Sequence, residues 1–169
     1  MSIQNSCALT GHRPAYFPFK YDESHPNCIA LKEAMRLEVI RLVKKSITTF
    51  YSGMALGVDT WGAEIILELK KQYPQLSLIA VSPCETQANH WSAQQRERYF
   101  NLLPRCDDVI YISRQYTPSC MLERNRYMVD HSQYLIAVYS GQDKSGTAYT
   151  VKYAKQNKRD VIMISSSNC

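Results

Sequence analysis

No stretch of this 169-residue chain runs to about 20 apolar residues, which argues against a membrane-spanning helix. The opening segment, MSIQNSCALTGHRP, lacks a basic flank followed by a long apolar core, so no secretory signal is expected. The cysteines at positions 7, 28, 84, 106, 120 and 169 form no CxxC pair, and none has a histidine at metal-ligand spacing. Neither a zinc site nor a disulfide framework is therefore expected. Isolated thiols suit a reducing compartment; the expected location is cytoplasmic, with no metal and no membrane partner. GxGxxG and GxxxxGK[ST] are both missing, which excludes the dinucleotide fingerprint and the P-loop. No internal repeat, low-complexity tract or linker interrupts the chain, so residues 1–169 read as a single domain.

The net charge is +5, yet no basic run exceeds a few residues. A nucleic-acid footprint would need those cations on one face. The clusters at Lys44-Lys45 and Lys155 to Arg159 fall where helices should end, and there cations offset the helix dipole. The twelve tyrosines form no run that reads as a stacking platform for bases.

What is present is an alternation of periods. Ile3 to Leu9 reads as a strand, closed by Thr10-Gly11-His12-Arg13-Pro14, because Pro14 disfavours helix at Arg13. A long aromatic and proline-rich loop runs to about Pro26. From Cys28 to Ser46, Leu31, Met35, Val39 and Leu42 mark an amphipathic helix. Thr49 to Asp59, TFYSGMALGVD, is the centre of the chain: a strand enters a Ser-Gly turn and a helix opens just past Gly57. Helices are further predicted from Val58 to before Pro74, from Trp91 to Leu103, around Met121 to Ser132, and from Thr147. Strands are predicted at Leu76 to Val81, Asp108 to Ile112, Tyr134 to Tyr139 and Val161 to Ile164. This pattern predicts an α/β, Rossmann-like doubly wound fold: a mostly parallel sheet of about six strands with helices on both faces. Such sheets bind ligands outside the carboxyl ends of their strands, at the switch point.

The loops expected there carry the candidate residues. A strand–Gly–helix turn at Gly53 and Gly57 aims backbone N–H groups and a positive dipole end at an anion. Gly11 frees the backbone beside His12 and Arg13, which are suited to donate to a phosphate. Gly146 and Thr147, in the loop from Gly141, offer backbone N–H groups and a hydroxyl at a helix start. Asp59 is a candidate ribose acceptor or general base. Arg124 and Asn125 are candidates to face the crevice, Asp130 sits about two turns further on, and Trp91 and Tyr116 are candidates to stack on a base.

Together these segments resemble the YpsA-type family of the SLOG superfamily, a Rossmann-like group that includes DprA-type and LOG-type proteins. TGHRP, SGMALGVDTWGAE, PCETQANHW, ERNRYMVDHSQYLIAVY and SGTAYTVKYA carry the resemblance in order along nearly the whole chain. It implies a bacterial protein that binds a nucleotide or nucleotide-derived ligand, as a sensor in some branches and an enzyme in others. SGMALGVD also resembles the SGLARGID-type segment of DprA, which binds single-stranded DNA. ERNRYM followed by SGT resembles the RK-x-x-M and PGG-x-GT-x-x-E motifs of LOG-type phosphoribohydrolases. By that resemblance Arg124 matches the motif arginine and Gly146-Thr147 match its GT. Asn125 stands where the lysine would be, however, and Thr150 where the catalytic glutamate would be, and threonine cannot do that carboxylate's work.

The leading expectation is a nucleotide-ligand sensor without turnover. The alternatives are a nucleotide-processing hydrolase acting on an N-glycosidic or phosphate bond, with Asp59 or Asp130 as base and Arg124 stabilising the leaving phosphate, and DprA-like single-strand binding. The superfamily often dimerises, so a homodimer is one arrangement the resemblance allows.

Overall fold

The computed structural model describes residues 3–141 and 144–166; Gln142 and Asp143 of the expected anion loop, and Cys169, lie outside these. Six strands form one sheet: β1 (Ser6–Gly11), β2 (Thr49–Ser52), β3 (Ser77–Cys84), β4 (Asp108–Ser113), β5 (Tyr134–Tyr139) and β6 (Asp160–Ser165). Five helices separate them: α1 (Pro26–Lys44), α2 (Val58–Lys70), α3 (Ala93–Leu102), α4 (Cys120–Asp130) and α5 (Gly146–Gln156). The strand order is β4-β3-β2-β1-β5-β6 and every pairing is parallel. The chain therefore steps outward from β1 to β4, then returns to the other side of β1. The order reverses between β1 and β5, and a doubly wound sheet opens its crevice at that point.

The two faces of the sheet bury different strand positions, as the period of two requires. Cys7, Leu9, Phe50, Leu78, Ile136 and Val138 point into one core with α1, α2 and α3. Ala8, Tyr51, Ile79, Leu135 and Ala137 point into the other with Met128 and Val129 of α4 and Val151 and Ala154 of α5. Each fully buried large apolar side chain contributes about 1.5–3 kcal/mol.

Several boundaries depart from the sequence expectation. Ile3–Asn5 form a 3-10 turn, not the start of β1; there the Gln133 N–H donates to the Ile3 carbonyl at 2.9 Å, tying the turn to the chain just ahead of β5. α1 begins at Pro26, with His25 as its cap: Nδ1 accepts from the Asn27 N–H at 3.1 Å, and Pro26 costs nothing at a position whose N–H has no partner. β3 continues through Pro83, where the missing N–H is tolerated because β2 has already stopped at Ser52, opposite Ala80. Trp91 lies ahead of α3, which starts behind a Ser92–Gln95 capping box.

The long segment between β1 and α1 is pinned. Phe17 and Phe19 are both buried, stack with centroids 5.0 Å apart, and pack against Trp61 of α2.

Candidate functional site

The crevice at the switch point has a volume of about 370 Å³. Thr10, Gly11, His12 and Arg13 reach it from the end of β1, Ala55 from the turn after β2, Asp59 from the first turn of α2, and Arg124 and Asn125 from the first turns of α4. Ser145, Gly146 and Thr147 close it at the start of α5. Residues separated by more than a hundred positions thus meet because parallel strands deliver all their carboxyl ends to one edge.

Close backbone approach builds its floor. Nη1 of Arg124 donates to the Gly53 carbonyl at 2.6 Å, and Nε donates to Asn125 Oδ1 at 2.8 Å. A Cβ on Gly53 would overlap Nη1 and lie 2.8 Å from Asp59 Oδ2. Gly53 is therefore the gap through which a buried cation and a buried carboxyl approach one another. The Ala55 N–H donates to Asp59 Oδ2 at 3.3 Å, the Ser52 hydroxyl to the Asp59 carbonyl at 2.8 Å, and the Thr60 hydroxyl to the Ala55 carbonyl at 2.7 Å. Gly57 adopts φ +88°, and a Cβ there would stand 2.7 Å from the His12 carbonyl. The first N–H of α2, on Val58, donates to that same carbonyl at 3.3 Å. Part of the expected anion cradle at this helix start is thus already taken by protein.

Burial pushes the Asp59 carboxyl above its ordinary range, while the Arg124 guanidinium, the Ala55 N–H and Arg13 pull it back. Burial likewise lowers Arg124, with Asp59 opposing; a guanidinium nonetheless stays protonated at neutral pH. Arg13 is exposed at the rim, its Nη2 lying 3.5 Å from the Met121 sulfur. The start of α5 is the more open anion site. Ser145 caps it by accepting the Ala148 N–H at 3.3 Å, and helix geometry leaves the Gly146 and Thr147 N–H groups at the crevice. A Cβ at Gly146 would meet nothing within 4 Å.

Four candidates fall elsewhere. Gly57 lines a neighbouring cavity rather than the crevice. Asp130 ends α4, at the opposite pole from Arg124, and accepts from the Tyr153 hydroxyl at 2.8 Å. Tyr116 is 63% exposed and lines no cavity described here, because it follows β4, the edge strand three places from β1. Trp91 lines a neighbouring cavity of about 600 Å³ rather than the crevice. The crevice wall also holds Tyr16, Ala55, Met121, Leu122 and Ser145, which the residue patterns do not place there; Tyr16 stacks on His12 with centroids 4.9 Å apart. Of these, Ser145 carries a signal as a cap residue directly before a helix. Thr150 is buried and donates to the Gly146 carbonyl at 2.8 Å, a helix-internal bond. Among the described residues, no group of three or more His, Cys, Asp or Glu is placed to hold a metal, and no helix is long and apolar enough to cross a membrane.

The comparisons agree with this architecture. A chain of DNA processing protein A from Helicobacter pylori, from a study of its single-stranded DNA binding mode, superposes with a TM-score of 0.64 at 17% identity. The match covers 99% of this chain and 71% of that one, and at such identity it speaks for the fold alone. A UPF0398 protein from Bacillus cereus (strain ATCC 14579) is 31% identical over 152 residues, covering 88% of this chain and 82% of its own length. The uncharacterized SPbeta prophage-derived protein YoqJ of Bacillus subtilis (strain 168) is 32% identical over 145 residues, 78% of this chain and 84% of its own. The model of the YpsA family, described as the YspA SLOG family, matches residues 7–167. This chain belongs to the YpsA family of SLOG proteins.

Proposed function

We propose that the protein binds a nucleotide or nucleotide-derived ligand in the switch-point crevice and acts as a cytoplasmic sensor without turnover. The observation that carries this reading is the buried Arg124–Gly53–Asp59 arrangement opening onto the start of α5. It places a fixed cation, a carboxyl acceptor and two helix N–H groups around one small space. The phosphate lies against Gly146, Thr147 and Arg13, with His12 and Gly11 beside it, and the sugar hydroxyls face Asp59 and Asn125. The absence of a carboxylate at position 150, where Thr150 is committed to the helix backbone, favours binding over hydrolysis. A homodimer is compatible with this arrangement.

A thermal-shift screen against mononucleotides, dinucleotides, ADP-ribose, cyclic dinucleotides and short single-stranded DNA tests the reading, since a ligand of the native state raises Tm by mass action. A small-nucleotide hit lost in Arg13→Ala supports it; silence across the panel removes it. A hit with DNA alone, weakening steeply with salt, supports the reading suggested by the fold shared with DNA processing protein A.

A second reading rests on the raised Asp59 carboxyl in the crevice, which suits a general base for cleaving a nucleotide-derived bond. Turnover abolished in Asp59→Asn with affinity largely kept would establish it.

A further inference from the structure

The larger cavity, about 600 Å³, lies on the other side of the same turn. Neighbouring residues part company between the two spaces. Arg13, Ala55 and Asp59 line the crevice, while Pro14, Leu56 and Thr60 line the cavity. Successive residues of one segment thus border both spaces.

Their chemistry differs. Both tryptophans of the chain, Trp61 and Trp91, line the cavity, with Trp91 edge-on to Tyr99 at 5.3 Å between centroids. Its charged floor is internally compensated. Arg98 donates to both oxygens of Glu23 at 2.6 and 2.9 Å and to both of Glu64 at 2.5 and 3.1 Å, while Lys32 donates to Glu23 at 2.6 Å. Two cations thus neutralise two carboxylates, and Arg98 is spent on them. The cavity also takes in Glu97, which opposes an anion. Gln94, exposed on the first turn of α3, brings a carboxamide with both donor and acceptor capacity. Aromatic walls, charges that leave no cation unpaired among the lining residues, and an amide fit a flat, uncharged ring with hydrogen-bonding edges. They do not fit a phosphate.

We infer that the cavity lined by Trp91, Tyr99 and Gln94 receives the nucleobase of the ligand whose phosphate the crevice holds. The inference rests on the crevice reading for the phosphate. Trp91 supplies the stacking surface and Gln94 reads the edge of the base, while the Glu23–Arg98–Glu64 lattice fixes α3 against the segment after β1 so that the walls keep their spacing.

The two sites are separable by experiment because tryptophan emission reports the cavity alone, whereas calorimetry reports either. Adenosine monophosphate should change the emission saturably, and ribose 5-phosphate should release heat without changing it. Trp91→Leu, read through Trp61, should weaken adenosine monophosphate by about tenfold and leave ribose 5-phosphate unaffected; Trp91→Phe should restore most of the loss. Gln94→Ala, on an exposed helix position, should weaken the base-bearing ligand without touching the fold. Adenosine monophosphate that binds Trp91→Leu and Gln94→Ala as tightly as the natural protein would overturn the inference while sparing the crevice. Emission responding to adenosine with no heat from ribose 5-phosphate would uphold the base cavity and remove the phosphate site. An emission change only with short single-stranded DNA would uphold the cavity and assign the base to a strand. No response to any probe would overturn both.

Discussion

The guanidinium of Arg124 donates to the carbonyl of Gly53 across 71 residues of sequence, at 2.6 Å and with Arg124 only 4% exposed. That bond fixes the turn after β2 to the first turns of α4. Gln87 adds a second, longer bond from its Nε2 to the same carbonyl at 3.3 Å. The crevice floor is therefore a rigid object assembled from three crossover connections.

Gly53→Ala tests that rigidity. The new methyl overlaps Nη1 of Arg124 and stands 2.7 Å from its Cζ, so the guanidinium must leave its place. We expect a stability loss of about 1–3 kcal/mol, the usual cost of overpacking, with ligand binding abolished. Denaturant melts and calorimetry on the same preparation check both.

Gly57→Ala tests the turn itself. At φ +88° with the His12 carbonyl 2.7 Å from the added atom, alanine is both strained and crowded. A loss of about 1–3 kcal/mol is expected, visible as a lower denaturant midpoint at unchanged slope.

Much of this arrangement was legible in the residues. Alternating apolar periods placed five helices and six strands, and the loops after β1, β2 and β5 stood out by composition. Sheet order was not legible, because parallel pairing is set by which crossover packs on which face. Asp130 is a candidate about two turns beyond Arg124, but six residues at 1.5 Å rise put them about 9 Å apart along the axis, and only the N-terminal half of α4 meets the crevice. Trp91 has the side chain of a stacking residue, yet the turn after β3 carries it to the neighbouring cavity rather than the crevice. No periodicity signals that path.

Acid sensitivity should arise at Glu23. Burial opposes its ionisation, but hydrogen bonds from Arg98 and Lys32 dominate and hold its carboxyl down to about 2, against an ordinary 4.5. With the folded value depressed, this stabilisation is present above pH 4.5 and is lost as pH falls towards 2. The side chain is 30% exposed, so solvent screening reduces the effect to on the order of 1 kcal/mol. Glu23→Gln should flatten the fall in denaturant midpoint between pH 4.5 and 2; an identical profile would contradict the assignment.

Asp59 acts in the opposite sense. Burial raises its folded pKa above 3.8, so its contribution is full below that pH and declines as pH rises through the folded value. Asp59→Asn should lack this decline, because its neutral carboxamide stands in for the protonated carboxyl that burial favours. Stability profiles of the two proteins against pH should therefore differ in slope.

The central claim is that the start of α5, with Arg13 across the crevice, holds a ligand's phosphate. Gly146→Leu addresses it most directly, because a side chain there meets no protein atom within 4 Å of its Cβ and instead fills the crevice. Calorimetry with adenosine monophosphate should show binding to the natural protein and a loss of at least about tenfold in the variant, roughly 1.4 kcal/mol, with Tm unchanged in the absence of ligand. Equal affinity in both proteins would contradict the account.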